Sequence, residues 1–415
     1  MLGANVWRRM VGVDRATVIE AVEEDGDDVV VVHVRPRRDS KRRCGRCGVQ
    51  APGYDQGEGR RRWRAMDLGT VRCYLEADSP RVDCAEHGPT VAQVPWARHG
   101  VGHTRDFDDQ TAWLVTHTAK STLVELLRVA WRSVGSIVER VVADGLAARD
   151  PFDGLRRIGL DEISYKKHHR YLLVVVDHDS GRLVWAAVGA NKGTLNEFFD
   201  LLGEERSKRI ALVSADAAPW ITEVVGERCK NAVLCIDGFH VVMWATAALD
   251  KVRRQVWNEA RRAGMTAHAG DLKGARYALW KNPEDLTERQ EAKLAWIART
   301  NVKLYRAYLL KEQLRAVIAV KGRRALLMLD AWLSWAARSR IPEFVAVGRS
   351  IRNNRSGIEA ALVHKLSNAL VESTNTKIRV LHRMAFGFKK PEHLIALALL
   401  DRGGYCPDLP GRSAA

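Results

Sequence analysis

Between residues 157 and 237 the chain repeats one texture: short apolar runs rich in β-branched residues, separated first by turn residues and then by helical stretches. Arg157–Ile163 (RIGLDEI), Tyr171–Val176 (YLLVVV) and Leu183–Val188 read as three strands, and the DHDSG turn at Asp177–Gly181 makes the last two a hairpin. Thr194–Leu202 then reads as a helix, Ile210–Ser214 as a strand, Pro219–Glu227 as a helix and Ala232–Ile236 as a fifth strand. Isolated hairpins do not alternate with helices in this way. The order predicts a mixed α/β sheet with helices packed against it.

Acids interrupt that apolar texture at telling places. Asp161 falls inside the first strand, where an unpaired charge is costly. Asp216 follows the fourth strand and Asp237 ends the fifth. Strand ends are where sites gather in α/β sheets. Phosphodiester cleavage with two metal ions needs several carboxylates converging on ions roughly 3.5–4 Å apart. Mg²⁺ takes few carboxylates together with waters and phosphate oxygens. Asp161 and Asp216 supply two. Glu372 is the best third candidate, because a helix through LSNALVESTNTKIRVL puts Glu372, Asn375, Thr376 and Arg379 on one face. Val371, Thr374, Ile378 and Leu381 form a separate, largely apolar stripe on that helix. The competing reading of Glu372 is an ordinary amphipathic surface helix, and that of Asp237-x-x-His240 is a helix-capping Asp with a packed His.

Residues 240–345 read as helical and basic and hold six of the thirteen Trp. Their apolar content is too high for a linker, so a packed helical insertion is expected. Most of these Trp should be core. Trp332 and Trp335, near Arg338 and Arg340, are the ones that could face DNA. Residues 358–386 and 391–400 read as two further helices, and the tail from Gly403 as loose.

The N-terminal part is different. Cys44-x-x-Cys47 and Cys84-x-x-His87 have the spacing of two zinc knuckles, with Cys73 a rival ligand; the alternative is a set of free thiols. Arg60–Trp63 and Val71–Leu75 read as a hairpin between the pairs, and Val29–Val34 as an earlier strand. Seven Cys is an odd number in a chain of 415 residues, which points to a reducing compartment and metal binding rather than a disulfide scaffold. Phe107–His117, Ser121–Arg128 and Trp131–Val142 read as three short helices with tight joins, the layout of a helix-turn-helix module and also of many helical linkers.

Charge narrows the partner. The formal net charge is +16, with 66 Lys and Arg against 50 Asp and Glu, and residues 35–72 hold twelve bases against four acids. Such an excess favours a polyanion. Arg42, Arg43, Arg60, Arg61, Arg62, Arg64 and, in the third short helix, Arg132 are the candidate DNA contacts, Arg being suited to bidentate phosphate binding. No apolar run reaches the length of a transmembrane helix, and the N-terminus lacks the pattern of a secretory signal. A cytoplasmic, nucleoid-associated protein without a membrane partner is expected.

The set GLDEISY, SADAAPWI, CIDGFH and LSNALVESTNTKIR resembles the bacterial insertion-sequence transposases of the ISL-three family, and FGFKKPEHLIALALLDRGGYCPDLPGR resembles its actinobacterial members. The CGRC…RRWRAMDLG…CAEH segment resembles that family's zinc-finger region. The likeness runs from about residue 40 to about 412. It departs from the family pattern at Gly238, where Arg is frequent, and at Ser373, where Gly is frequent.

The resemblance implies a multidomain α/β protein: an N-terminal zinc finger and helix-turn-helix, then a ribonuclease H-like DDE catalytic domain interrupted by an all-helical insertion. The expected segments are 1–100 (zinc finger), 101–150 (helix-turn-helix), 151–245 (catalytic, first part), 246–350 (insertion) and 351–415 (catalytic, second part). Matched to the family's motifs, the metal triad falls on Asp161, Asp216 and Glu372, binding Mg²⁺ (or Mn²⁺). Asp237, His240, Asn375 and Arg379 would support the site or touch DNA, and Cys44, Cys47, Cys84 and His87 would hold a structural Zn²⁺. The implied function is a DNA transposase. It would bind terminal inverted repeats, cut them, and join the freed 3′-hydroxyl to target DNA, as a homodimer or larger synaptic assembly. The rival readings are a non-catalytic zinc-finger and helix-turn-helix repressor, which leaves the strand-end acids without a use, and a ribonuclease H-like nuclease, which needs no helix-turn-helix.

Overall fold

The structure, a computed structural model, describes residues 4–166 and 170–412. Packing divides the chain into two units, Met1–Pro151 with Lys377–Ala415, and Phe152–Thr376. This division cuts across the expected segment 351–415: residues from Lys377 onward group with the N-terminal unit.

The N-terminal unit contains two sheets. Strands β1 (Thr17–Glu24), β2 (Val29–Pro36), β4 (Arg60–Arg64) and β5 (Arg72–Asp78) form one, in the order β1-β2-β5-β4. The expected hairpin is present as β4 and β5, antiparallel with Trp63 opposite Leu75. It belongs to this sheet, whose core includes Val32, Val34, Trp63, Cys73 and Leu75. β1 was not expected; it is an edge strand with one fully buried residue. Strands β3 (Gly53–Asp55), β6 (Arg81–Cys84) and β7 (Gly88–Val91) form a separate small antiparallel sheet that carries the second knuckle.

Three helices follow, Arg105–Val115, Lys120–Leu127 and Trp131–Ala148. Thr104 caps the first by accepting from the Phe107 N–H at 3.3 Å. Arg128 ends the second in the left-handed region, φ 52°, which sets the turn into the third. Phe107, Leu123, Leu127, Ile137 and Val141 make a core that also takes in Leu381, Leu397, Leu400 and Tyr405. The tail from Gly403 is therefore not loose at its start: Tyr405 is buried, and its ring lies 2.5 Å from where a Cβ on Gly145 would stand. Only glycine lets the two approach so closely.

The second unit is built on five strands, β8 (Arg157–Lys166), β9 (Arg170–Asp177), β10 (Leu183–Val188), β11 (Leu212–Ala215) and β12 (Val233–Ile236), in the order β10-β9-β8-β11-β12. The first three pair antiparallel as a meander, while β11 is parallel to both β8 and β12. Helices Lys192–Leu202 and Pro219–Arg228 provide the crossovers that parallel pairing requires. They cover one face through Leu195, Phe198, Phe199, Ile221 and Val224. β9 is buried along nearly its whole length, as expected of a strand covered on both faces.

The insertion is helical from Gly238–Arg262 to Arg355–His364 and has its own core, including Leu249, Val252, Leu310, Leu314, Leu329 and Phe344. Trp332 lies within it, fully buried, its Nε1–H donating to the Leu310 carbonyl at 2.8 Å. That agrees with the expectation that most of these Trp are core and takes Trp332 out of the pair that could face DNA; Trp335 packs half-buried on the same core. The single helix expected over 358–386 is two. Lys365 adopts φ 57° and ends Arg355–His364, and a new helix runs Ala369–Met384. This break lets the second helix begin beside the sheet. Gly159 on β8 permits the approach, since a Cβ there would stand 2.4 Å from Val371 Cγ2. Among the described residues no helix is long and apolar enough to cross a membrane.

Candidate active site and metal centre

The two N-terminal knuckles close on one point. Cys44, Cys47, Cys84 and His87 bring their ligand atoms within 4.8 Å of one another. Cys44 Sγ lies 3.8 Å and Cys84 Sγ 3.7 Å from His87 Nδ1, and Cys47 Sγ lies 3.7 Å from Cys84 Sγ. A tetrahedron with arms of about 2.3 Å, the Zn–S length, has edges of about 3.8 Å. The donor set and its spacing therefore fit zinc, with His87 offering Nδ1. The first knuckle is tied by the Gly48 N–H to the Cys44 carbonyl and by the Arg46 N–H to Cys44 Sγ at 3.4 Å. The second turns between β6 and β7 on Gly88, φ 63°. Cys73 is excluded: it sits in the core of the other sheet, and burial pushes its thiol up to about 11.

The candidate DNA-contacting arginines separate by environment. Arg42, Arg43 and Arg132 are exposed, the last in the first turn of Trp131–Ala148. Arg60 and Arg62 both bond Glu76, at 3.0 and 2.6 Å, and Arg62 also bonds Asp25 at 2.6 Å. Arg61 donates to the Val101 carbonyl at 2.8 Å and lies over Trp63. Arg64 does not fit a DNA contact. It is 8% exposed, donates to the Cys73 carbonyl at 3.3 Å, pairs with Asp67 and spans the Tyr74 and Phe107 rings.

In the second unit the acids converge. Asp161 stands in the middle of β8 opposite Val174, half-buried. Its Oδ1 accepts from the Glu162 N–H and its Oδ2 from Asn375 Nδ2, both at 2.7 Å. Burial pushes the Asp161 carboxyl up to about 6, and the charges of Asp216 and Glu372 add to the rise, while the Glu162 N–H and His240 oppose it. Asp216 follows β11 and takes His240 Nδ1 at 2.8 Å. Asp237 follows β12, is 2% exposed, and faces the same nitrogen at 3.3 Å. The two carboxylates raise the His240 imidazole to about 10, so it stands as a cation between them. Glu372 lies in the first turn of Ala369–Met384, where the helix dipole favours an acid. Asp216, Asp237 and His240 form a close cluster, and Asp161 and Glu372 border it.

One residue holds these pieces in register, and sequence reading missed it. Asn368 is 1% exposed. Its Nδ2 donates to the Leu160 carbonyl at 3.1 Å, its backbone N–H donates to Asp237 Oδ1 at 3.1 Å, and its Oδ1 accepts from the Ser214 hydroxyl. Ser214 in turn meets His178 Nε2 at 2.7 Å. β8, β11, the end of β12 and the start of the Glu372 helix are thus joined at one amide. An Asn just before a helix reads as a cap, and nothing in the sequence marks it otherwise. Gly238 also has a local reason: a Cβ there would stand 2.5 Å from Ile318 Cγ2 of the insertion. Arg379 is exposed and is described with the other unit.

Comparison with known proteins agrees with this layout. Residues 40–87 match the zinc-finger of transposase IS204/IS1001/IS1096/IS1165, residues 92–142 the helix-turn-helix domain of transposase family ISL3, and residues 158–398 that family's transposase domain, a DDE domain. A protein of Mycobacterium tuberculosis, the transposase for insertion sequence element IS1557, is 57% identical over 99% of this chain and 98% of its own length. The transposase for insertion sequence element IS1001 of Bordetella parapertussis is 24% identical over 90% of this chain and 92% of its own. With zinc-finger, helix-turn-helix and transposase domains matched in succession along it, and a relative 57% identical over nearly its whole length, the chain belongs to the ISL3 family of insertion-sequence transposases.

Proposed function

We propose that the sheet of the second unit is a ribonuclease H-like catalytic core in which Asp161, Asp216 and Glu372 hold Mg²⁺, or Mn²⁺, for cutting and rejoining DNA. The observation that carries this reading is the placement of the three carboxylates around one end of the sheet. They come from a strand middle, a strand end and a helix start, and the charges of Asp216 and Glu372 both reach Asp161, whose carboxyl is pushed up chiefly by burial. The all-oxygen donor set of these three acids suits a hard divalent ion. Bound there, the ion would activate a water or 3′-hydroxyl and stabilise the leaving oxygen. The side chains around it position the acids. Asn375 orients Asp161 through Oδ2, His240 fixes Asp216, and buried Asp237 holds His240 and the Asn368 backbone.

The DNA substrate is the pair of terminal inverted repeats, read by the zinc-bearing module and the three helices around Arg132, with target DNA as the second substrate. Two ends must be brought together, so the working form is a homodimer or larger. A DNA substrate and a net charge of +16 put its work on the nucleoid, in the cytoplasm. The test is nicking of an element-end duplex by the full chain, with and without Mg²⁺. Asp161→Ala, Asp216→Ala and Glu372→Gln should each abolish nicking and leave binding of the duplex intact. Full activity in Asp216→Ala, with complete loss in Asp237→Ala, would overturn the ligand assignment.

A further inference from the structure

The helix Ala369–Met384 ends in a Schellman motif. The Phe386 N–H donates to the Arg383 carbonyl and the Gly387 N–H to the His382 carbonyl, both at 3.0 Å. The first of those two positions takes a left-handed backbone, and Phe386 has φ 53°. Glycine is the usual occupant, since a Cβ is strained there. In this chain the glycine comes one residue later and a phenylalanine takes the strained place. Among the described residues the other non-glycine positions with positive φ are Arg42, Arg128, Arg340 and Lys365, all cationic.

The Phe386 ring takes no part in the core that its neighbours Leu381, Ala396 and Leu397 share. It is 79% exposed, more than any other exposed large apolar side chain among the described residues. Phe388, two residues on, does the opposite and packs on the core shared with Leu381 and Leu397. The loop is thus anchored by one aromatic and displays another. Backbone strain that serves no packing is stored where a site needs it.

The surrounding charge identifies what the ring meets. From Ser373 to Pro391 there is no Asp or Glu, and the segment carries Lys377, Arg379, Arg383, Lys389 and Lys390. Arg379 and Arg383 are exposed at helical i, i+4 spacing, and Phe386 follows three residues on, just past the helix end. Neither arginine is ion-paired among the described residues. A cationic stripe leading to a bare aromatic is built for a polyanion with flat apolar surfaces between its charges. Nucleic acid has that chemistry: phosphates for the arginines, base faces for the ring.

We propose that Phe386 is a wedge that enters bound DNA and unstacks one base step, with Arg379 and Arg383 on the flanking phosphates. The proposal rests on the membership of a DNA transposase family and not on which acids bind the catalytic metal.

The test uses an element-end duplex with 2-aminopurine stepped through successive positions, saturated with the full chain and without added Mg²⁺. The wild type should raise the fluorescence several-fold at one or two adjacent positions. Phe386→Trp should keep that rise and Phe386→Ala should lose it, with affinity about tenfold weaker, in line with one lost stacking contact. Melting temperature should hold in Phe386→Ala and rise slightly in Phe386→Gly. Wild-type fluorescence in Phe386→Ala would overturn the proposal. So would a fall in melting temperature in both Phe386→Ala and Phe386→Gly, which would make the ring a fold element. A changed sedimentation mass with unchanged fluorescence would overturn it in favour of contact with a second copy.

Discussion

Replacing Asn368 by Ala should loosen the catalytic unit and stop strand cleavage without touching any of the three acids. The substitution removes a donor from the Leu160 carbonyl and an acceptor from the Ser214 hydroxyl, both at fully buried residues. A buried polar group left without its partner costs about 1–3 kcal/mol. Ser214 keeps His178 Nε2 at 2.7 Å, so its share is the smaller. The sum is roughly 2–4 kcal/mol, which for a unit of this size corresponds to about 5–15 °C in melting temperature. The backbone bond from Asn368 to Asp237 survives, so the site should loosen rather than disperse. Calorimetry and nicking assays on Asn368→Ala, Ser214→Ala and the double variant make the check. Their effects should be strongly non-additive, because both changes break the same bond. Element-end binding should be unchanged. An Asn368→Ala protein that melts and cuts like the parent would refute the reasoning, as would simple additivity.

Stripping zinc with a chelator should release about one ion per chain and abolish element-end binding, while the second unit keeps its melting transition; metal analysis and calorimetry decide this. Arg64→Ala should lower stability by about 1–3 kcal/mol, since it takes a buried donor from the Ala65 carbonyl and empties the space between the Tyr74 and Phe107 rings, while Asp67 keeps Arg128 and the Cys73 carbonyl keeps the Ala65 N–H; Arg132→Ala should weaken DNA binding with no change in melting. Trp332→Ala should cost about 3–5 kcal/mol and leave cleavage per folded molecule as it was. In metal-free protein Asp161→Asn should be stabilising at pH 7. The folded-state carboxyl titrates at about 6 against an ordinary 3.8, so wild-type stability falls as pH rises between those values. The advantage of the variant is at most about 3 kcal/mol and should vanish near pH 4, as urea titrations at both pH values would show.

The five-stranded sheet was legible because each strand carries a dense apolar run and each connection a turn or helix signal. The zinc knuckles were legible because two short spacings fix four donors. The acids stood out at strand ends for the same reason any charge does in an apolar run. What stayed hidden depended on contacts made across long sequence separations. β1 is an edge strand with a polar face, so its alternation is faint. Arg64 looks like its neighbours in an arginine run, and only the two rings and carbonyls around it show that it is internal. The break at Lys365 is a left-handed residue that no local composition announces. Asn368 gains its role from partners on two strands and just past the end of a third, all distant in sequence.

The core of the three helices between Arg105 and Ala148 is finished by side chains from the far end of the chain, Leu381, Leu397, Leu400 and Tyr405. During synthesis these helices leave the ribosome long before their packing partners exist. A nascent or prematurely terminated chain therefore presents Leu123, Ile137 and Val141 to water, and its reading head cannot rigidify. A chain broken upstream of Lys377 is therefore expected to lack a firmly packed helical module, and the hydrophobic core makes the folding of one segment conditional on the synthesis of another more than two hundred residues later.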